Sequence, residues 1–188
     1  MTNITFKSIL ESPTIIKVFF DVRNDSDALY SHYGIRLAGI EDVQLQEVAS
    51  RPSWEDKKYL RGLAKCIAND ISLPCGEKAE WTRVKESGVE LFAPKYGGSY
   101  AVFDQRPLPE AIARYCVNDV RYLPLLRDEY LPHLDRRWKA RVALETERRV
   151  LQSQSRSYQP HGRNKVISPW VNEVMMARSM LADLPFES

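Results

Sequence analysis

The chain has little of what marks a membrane-spanning or secreted protein. In its 188 residues there is no run of 18 apolar residues, and the N-terminus has no basic-then-apolar leader. Neither a membrane span nor secretion is indicated, and an intracellular protein of the cytoplasm or nucleus is expected. Cysteine is scarce: Cys66, Cys75 and Cys116 are odd in number and show no CxxC spacing. That excludes a disulfide framework and argues against a zinc site, so the three read as reduced thiols. His32, His133 and His161 are too scattered to form a metal site or a catalytic triad. No internal repeat or low-complexity tract occurs.

What is present fits a globular protein of one domain plus an extension, with 44% hydrophobic and 28% charged residues. The net charge is only +2, but it is unevenly placed. Residues 136–165 carry nine Lys or Arg against two Glu, while the rest has 18 basic against 23 acidic residues. An acidic site beside a basic surface suits a polyanionic partner.

The most informative stretch runs from Arg106 to Leu126. Pro107 and Pro109 open a helix whose apolar positions Ile112, Cys116, Val120 and Leu123 recur at helical spacing. Tyr115 and Asp119 lie four apart, so both leave one face of that helix. In a metal-dependent phosphodiester hydrolase a carboxylate holds a divalent cation and a phenol orients the attacking water. A core aromatic beside a solvated acid has the same spacing. Upstream, Lys17-Val-Phe-Phe-Asp21 reads as a buried strand running into a helix from Asp25 to Tyr33, closed by Gly34. For Asp21, Asp25 and Asp27 the plain alternative is an acid-rich helix start, capped by Asn24 or Asp25.

Arg106-Pro-Leu, six residues, then Tyr115-Cys-Val-Asn-Asp119-Val-Arg-Tyr-Leu123 resembles the third motif of the RNase D-like 3′–5′ exonucleases. These form the DEDD family, here in the subclass that keeps a tyrosine in that motif. Lys17 to Leu29 resembles the second motif, and its alignment on the strand residues and Leu29 puts the metal-site aspartate at Asp25. Tyr33-Gly34-Ile35 and Ile40-Glu-Asp42-Val-Gln-Leu45 continue as the family does, with a turn and a strand. The likeness covers about Ile9 to Leu134. It implies an α/β, RNase H-like fold, a mixed sheet flanked by helices. It also implies single-strand 3′ ends of RNA or DNA as partner, and two Mg²⁺ or Mn²⁺ ions held in part by Asp25 and Asp119. Tyr115 would orient the water.

The family's first motif, Asp-x-Glu, has no counterpart before Asp21, where the only acid is Glu11. Only two core strands are legible, Ile15 to Phe20 and about Ile40 to Leu45, so the first strands of the sheet are expected to be missing. They would come from an absent upstream segment or from another chain, or the domain is a degenerate relic. Two neighbouring cations need more carboxylates than Asp25 and Asp119 supply. The chain on its own is therefore expected to bind metal poorly and to cleave weakly or not at all. The alternative is a non-catalytic nucleic-acid-binding or scaffold module.

Elsewhere a short helix is expected over Phe6–Leu10. A helix over Trp54–Asn69 would have Tyr59, Leu60, Leu63, Cys66 and Ile67 on one face. Ile71 to Gly76 reads as a turn, followed by helical polarity from Lys78 to Glu86. Leu91 to Phe103 has no helical period. There Gly97-Gly98 allows close backbone approach, and Tyr96, Tyr100 and Phe103 either stack on bases or belong to a packed loop. Arg106 contacts phosphate or pins that loop to the helix. After residue 134 comes a basic helical extension, 135–188: a helix over Leu134–Gln152 and a polar linker, 153–165. Arg163 and Lys165 are its phosphate-binding candidates, against a solvated basic face. A last helix is expected over Trp170–Leu184.

Overall fold

The computed structural model describes residues 4–173 and Met175; the expected helix beyond Glu173, with Val174 and Leu181, lies outside the described residues. The chain opens with α1 (Phe6–Glu11), β1 (Lys17–Phe19), α2 (Arg23–Tyr33), β2 (Ile40–Asp42) and α3 (Val43–Ser50). It continues with α4 (Leu63–Asn69), α5 (Cys75–Phe92), α6 (Glu110–Val120), α7 (Leu123–Tyr130) and α8 (Arg136–Ser153).

β1 and β2 pair in parallel, Lys17 with Ile40 and Phe19 with Asp42, and α2 is the crossover between them. This is a helix-rich α/β fold with a small sheet, and β1–β2 is its one sheet among the described residues. α2 stops where expected, at Gly34, whose φ of 61° is left-handed. Its start differs from expectation. Val22 occupies the cap position without a side-chain bond, and neither Asn24 nor Asp25 caps the helix. Asp42 instead holds the turn that leads into it, accepting from the N–H of Asp21 at 3.0 Å and of Val22 at 3.2 Å.

Two other expectations are corrected. The strand expected to reach Leu45 ends at Asp42, because the Asp42 carboxylate accepts from Gln44 N–H (3.1 Å) and so starts α3 at Val43. The helix expected over Trp54–Asn69 is broken. A 3₁₀ turn spans Glu55–Lys58, Tyr59 is exposed in an antiparallel bridge with Ile167, and the α-helix restarts after Gly62. Lys57 contributes to that break: its buried ammonium donates to the carbonyls of Ala49 and Arg51 at the end of α3.

Beneath the later site lies an apolar cluster in which Val43, Ile67, Trp81, Leu123 and Leu126 are buried, with Val18 and Phe20 against it. α8 lies on α2, α3 and β2. Its inward face carries Val142, Thr146, Arg149 and Val150, so the basic helix contributes to the core through a charged side chain as well as apolar ones. Among the described residues no helix is long and apolar enough to cross a membrane.

Candidate active-site cleft

α5 and α6 set the geometry of the site. Trp81 Nε1 donates to the Asn118 carbonyl and Asn118 Nδ2 donates to the Trp81 carbonyl, both at 3.0 Å and both buried. This reciprocal pair fixes the helices in one antiparallel register. One turn along, Lys85 of α5 meets Asp119 of α6, Nζ to Oδ1 at 2.7 Å. A further turn along, Gly88 meets Tyr115: a Cβ there would stand 2.3 Å from Tyr115 Cδ2. The bare backbone of Gly88 is what lets the Tyr115 ring lie against α5.

Tyr115 and Asp119 therefore share a face, one turn apart on α6. Burial first, then the neighbouring Asp119 carboxylate, raise the Tyr115 hydroxyl well above the ordinary phenol range. The apolar spacing on α6 predicts less well what is inside. Ile112 is fully buried, but Cys116 and Val120 are exposed, and the other inward residue is Asn118. The stripe is replaced by the Trp81–Asn118 polar pair because α5 covers a different sector of the helix.

Asp25 sits in the first turn of α2. It and Asp119 line one open cleft of about 560 Å³, together with Lys17, Val18, Phe20 and Lys85. Asp25 retains exposed surface, yet its carboxyl is crowded in the cleft. Burial first, then the charges of Asp21 and Asp42, push it up to about 6. Asp21 faces a different set of groups. Its backbone is left-handed at φ 62°, and its carboxylate takes two bonds from Arg23, at 2.5 and 2.6 Å. Burial alone would raise its pKa, but Arg23 and Arg149 outweigh that and hold it below the usual carboxylate range.

The remaining candidates fall in two places. Phe92, at the end of α5, touches the rings of Tyr100, Phe103 and Tyr115 at centroid distances of 5.6, 5.3 and 5.2 Å. The aromatic loop is thereby joined to the tyrosine of the site, while Tyr96 and Tyr100 remain 58% and 63% exposed. Arg106 donates to the carbonyls of Phe103 and Gln105, at 2.9 and 2.7 Å, which pins the loop where it enters α6. Arg163 is exposed, whereas Lys165 lies 4.0 Å over the Tyr158 ring and its carbonyl accepts from Arg23. Tyr158 in turn donates to Asn24 at 2.6 Å, so this segment docks on the start of α2.

Two residues of the site are not among the sequence candidates, Lys85 and Gly88. A lone glycine inside an otherwise helical stretch is a local signal of close approach that could have flagged Gly88. Lys85 has no such signal. The carboxylates fit a two-cation site poorly: Asp119 is already held by an ammonium, and among the described residues no group of three or more His, Cys, Asp or Glu could hold a metal.

A family model described as 3′–5′ exonuclease matches residues 4–135. Among solved structures, Trypanosoma brucei RNase D in complex with GMP aligns with a TM-score of 0.68 at 20% identity, covering 91% of this chain and 49% of that one. T. brucei RNase D itself aligns at 0.65 and 21%, over 91% and 56%. Its complex with RNA U12 aligns at 0.63 and 19%, over 90% and 54%. The chain thus spans about half the length of these structures, and at such identities the likeness is one of fold. No curated protein is similar enough to add a further relative.

Proposed function

Because the chain belongs to the 3′–5′ exonuclease family, we propose that its cleft receives the single-stranded 3′ end of RNA or DNA as part of an exonuclease-type phosphodiesterase site. One observation carries this reading: Asp25 and Asp119, far apart in the sequence, line the same cleft, with Tyr115 one turn from Asp119 on the same face of α6. T. brucei RNase D, of the same fold, has been captured with RNA U12. Exonucleases of this type generally use divalent metals. Asp25 and Asp119 would be this chain's share of such a site, and two acids are too few to hold a pair of cations closely. These 188 residues alone are therefore slow hydrolases or none. The cleft runs along β1, whose edge away from β2 carries no strand among the described residues. A strand seated there, from outside these residues or from a partner, would bring further acids to the cleft.

A second reading, a nucleic-acid-binding module without hydrolysis, draws on the ion pair that already neutralises Asp119. Trimming assays on 5′-labelled single-stranded RNA and DNA, with Mg²⁺ or Mn²⁺ and with EDTA, separate the two. Metal-dependent shortening from the 3′ end, abolished by Asp119→Asn, supports the hydrolase. Oligonucleotide bound but never shortened supports the binding module. Neither binding nor shortening overturns both.

A further inference from the structure

Four charged side chains line the cleft: Lys17, Asp25, Lys85 and Asp119. A phosphodiester entering between two carboxylates is repelled unless a cation in the same space offsets them. Lys17 donates at 2.5 Å to the carbonyl of Ser12 and, among the described residues, is neither paired with a cleft carboxylate nor held by an aromatic face. Lys85 is placed differently. Its ammonium carries three protons and has one hydrogen-bond acceptor among the described residues, Asp119 Oδ1 at 2.7 Å. Two aromatic faces hold it from the protein side, Trp81 at 5.2 Å and Tyr115 at 5.8 Å from the ring centroids. The stem is thus fixed while part of the donor capacity points toward open space, with the side chain 27% exposed. An ion pair of that exposure adds little stability by itself, so its position inside the cleft calls for another role.

We propose that Lys85 binds a phosphodiester oxygen of the nucleic-acid 3′ end, its hold on Asp119 keeping ammonium and carboxylate in one fixed relation. This rests on the reading of the cleft as a 3′-end site. A lysine suits the task as a compact point charge with several donors, able to keep one bond to Asp119 while giving another to phosphate. The Trp81–Asn118 register makes the placement specific, since a slip of one turn between α5 and α6 would carry Lys85 away from Asp119.

The test is fluorescence anisotropy with a 5′-labelled single-stranded oligonucleotide in EDTA, over a salt series, with nucleoside 5′-monophosphate as competitor. Lys85→Met is expected to weaken oligonucleotide binding about tenfold. It should also make the dependence of log Kd on log salt shallower by about 0.7, the slope of one lost phosphate contact on a single strand. Lys85→Arg should restore most of both. Should Lys85→Met lose its fold by circular dichroism, Lys85→Gln gives the same readout. Unchanged affinity and slope in a folded Lys85→Met or Lys85→Gln protein overturns the proposal while leaving the cleft's function standing. A change confined to competition by the mononucleotide also overturns it, because the ligand is then a free nucleotide and not the polymer. If the wild-type chain binds no oligonucleotide, the reading of the cleft falls and this assignment with it.

Discussion

Arg149 and Asp42 meet inside the protein, Nη1 to Oδ2 at 2.7 Å, with the Asp42 side chain wholly buried. The same carboxylate accepts from Asp21, Val22 and Gln44 N–H. One aspartate therefore closes the turn after β1, starts α3 and receives the buried cation of α8. The turn it holds leads directly into the helix that presents Asp25.

Removing either partner leaves the other buried charge poorly compensated. Among the described residues, Arg149 would keep only Asp21 at 3.6 Å and Gln44 at 3.1 Å, and Asp42 only backbone N–H donors. Asp42→Ala is expected to cost about 3–5 kcal/mol by urea denaturation. Arg149→Met should cost a similar amount, and the double variant should cost clearly less than the sum. Strict additivity would mean that the two groups do not depend on each other.

Gly88→Ala puts a methyl group into the Tyr115 ring. We expect a loss of about 1–3 kcal/mol from overpacking, read as a lowered melting temperature. Combining it with Tyr115→Ala should recover part of that loss, since the smaller side chain makes room. No recovery would show that the strain arises elsewhere on α5.

Asp25, with its pKa raised to about 6, is a pH-dependent weakness. Between about pH 4 and pH 6 the folded chain holds a proton that the unfolded chain releases, so this group's contribution to stability falls as pH rises through that window. Its remaining exposure reduces the effect to about 1 kcal/mol. Asp25→Asn should flatten that part of the stability profile and be the more stable protein at pH 7. A carboxyl titrating near 4 in a carbon-detected NMR titration would contradict the assignment.

The three thiols should differ sharply. Cys75 and Cys116 are exposed, whereas Cys66 is buried and its burial pushes the thiol up to about 12. A colorimetric thiol reagent should titrate two groups in the native protein and the third only in denaturant. Cys116 should react more slowly than Cys75, because partial burial and the Asp119 carboxylate raise its pKa.

Tyr96 and Tyr100 are exposed in a loop that Phe92 ties to Tyr115. If bases stack on them, each change to alanine should weaken single-strand binding by about 1–3 kcal/mol, with little dependence on base identity. Unchanged affinity in both variants would leave the loop as packing.

What the sequence determined by itself is local. Tyr115 and Asp119 share a face because an α-helix brings residues four apart together. Gly34 ends α2 because the stop is left-handed, and Asp25 falls in the first turn because a strand leads directly into that helix. The family motifs are of this kind, short spacings within one element, and that is why they could be read. The tertiary structure decided what each face meets. Cys116 and Val120 keep the apolar period of α6 and yet point outward, because periodicity tells which residues share a face and says nothing of what covers it. Lys85 and Gly88 reach Asp119 and Tyr115 only through the Trp81–Asn118 register. Arg149, one of the charges in a basic helix, is buried because Asp42 from a distant strand end is there to receive it. Pairings of that range depend on how helices cross, and no spacing along a single chain segment encodes them.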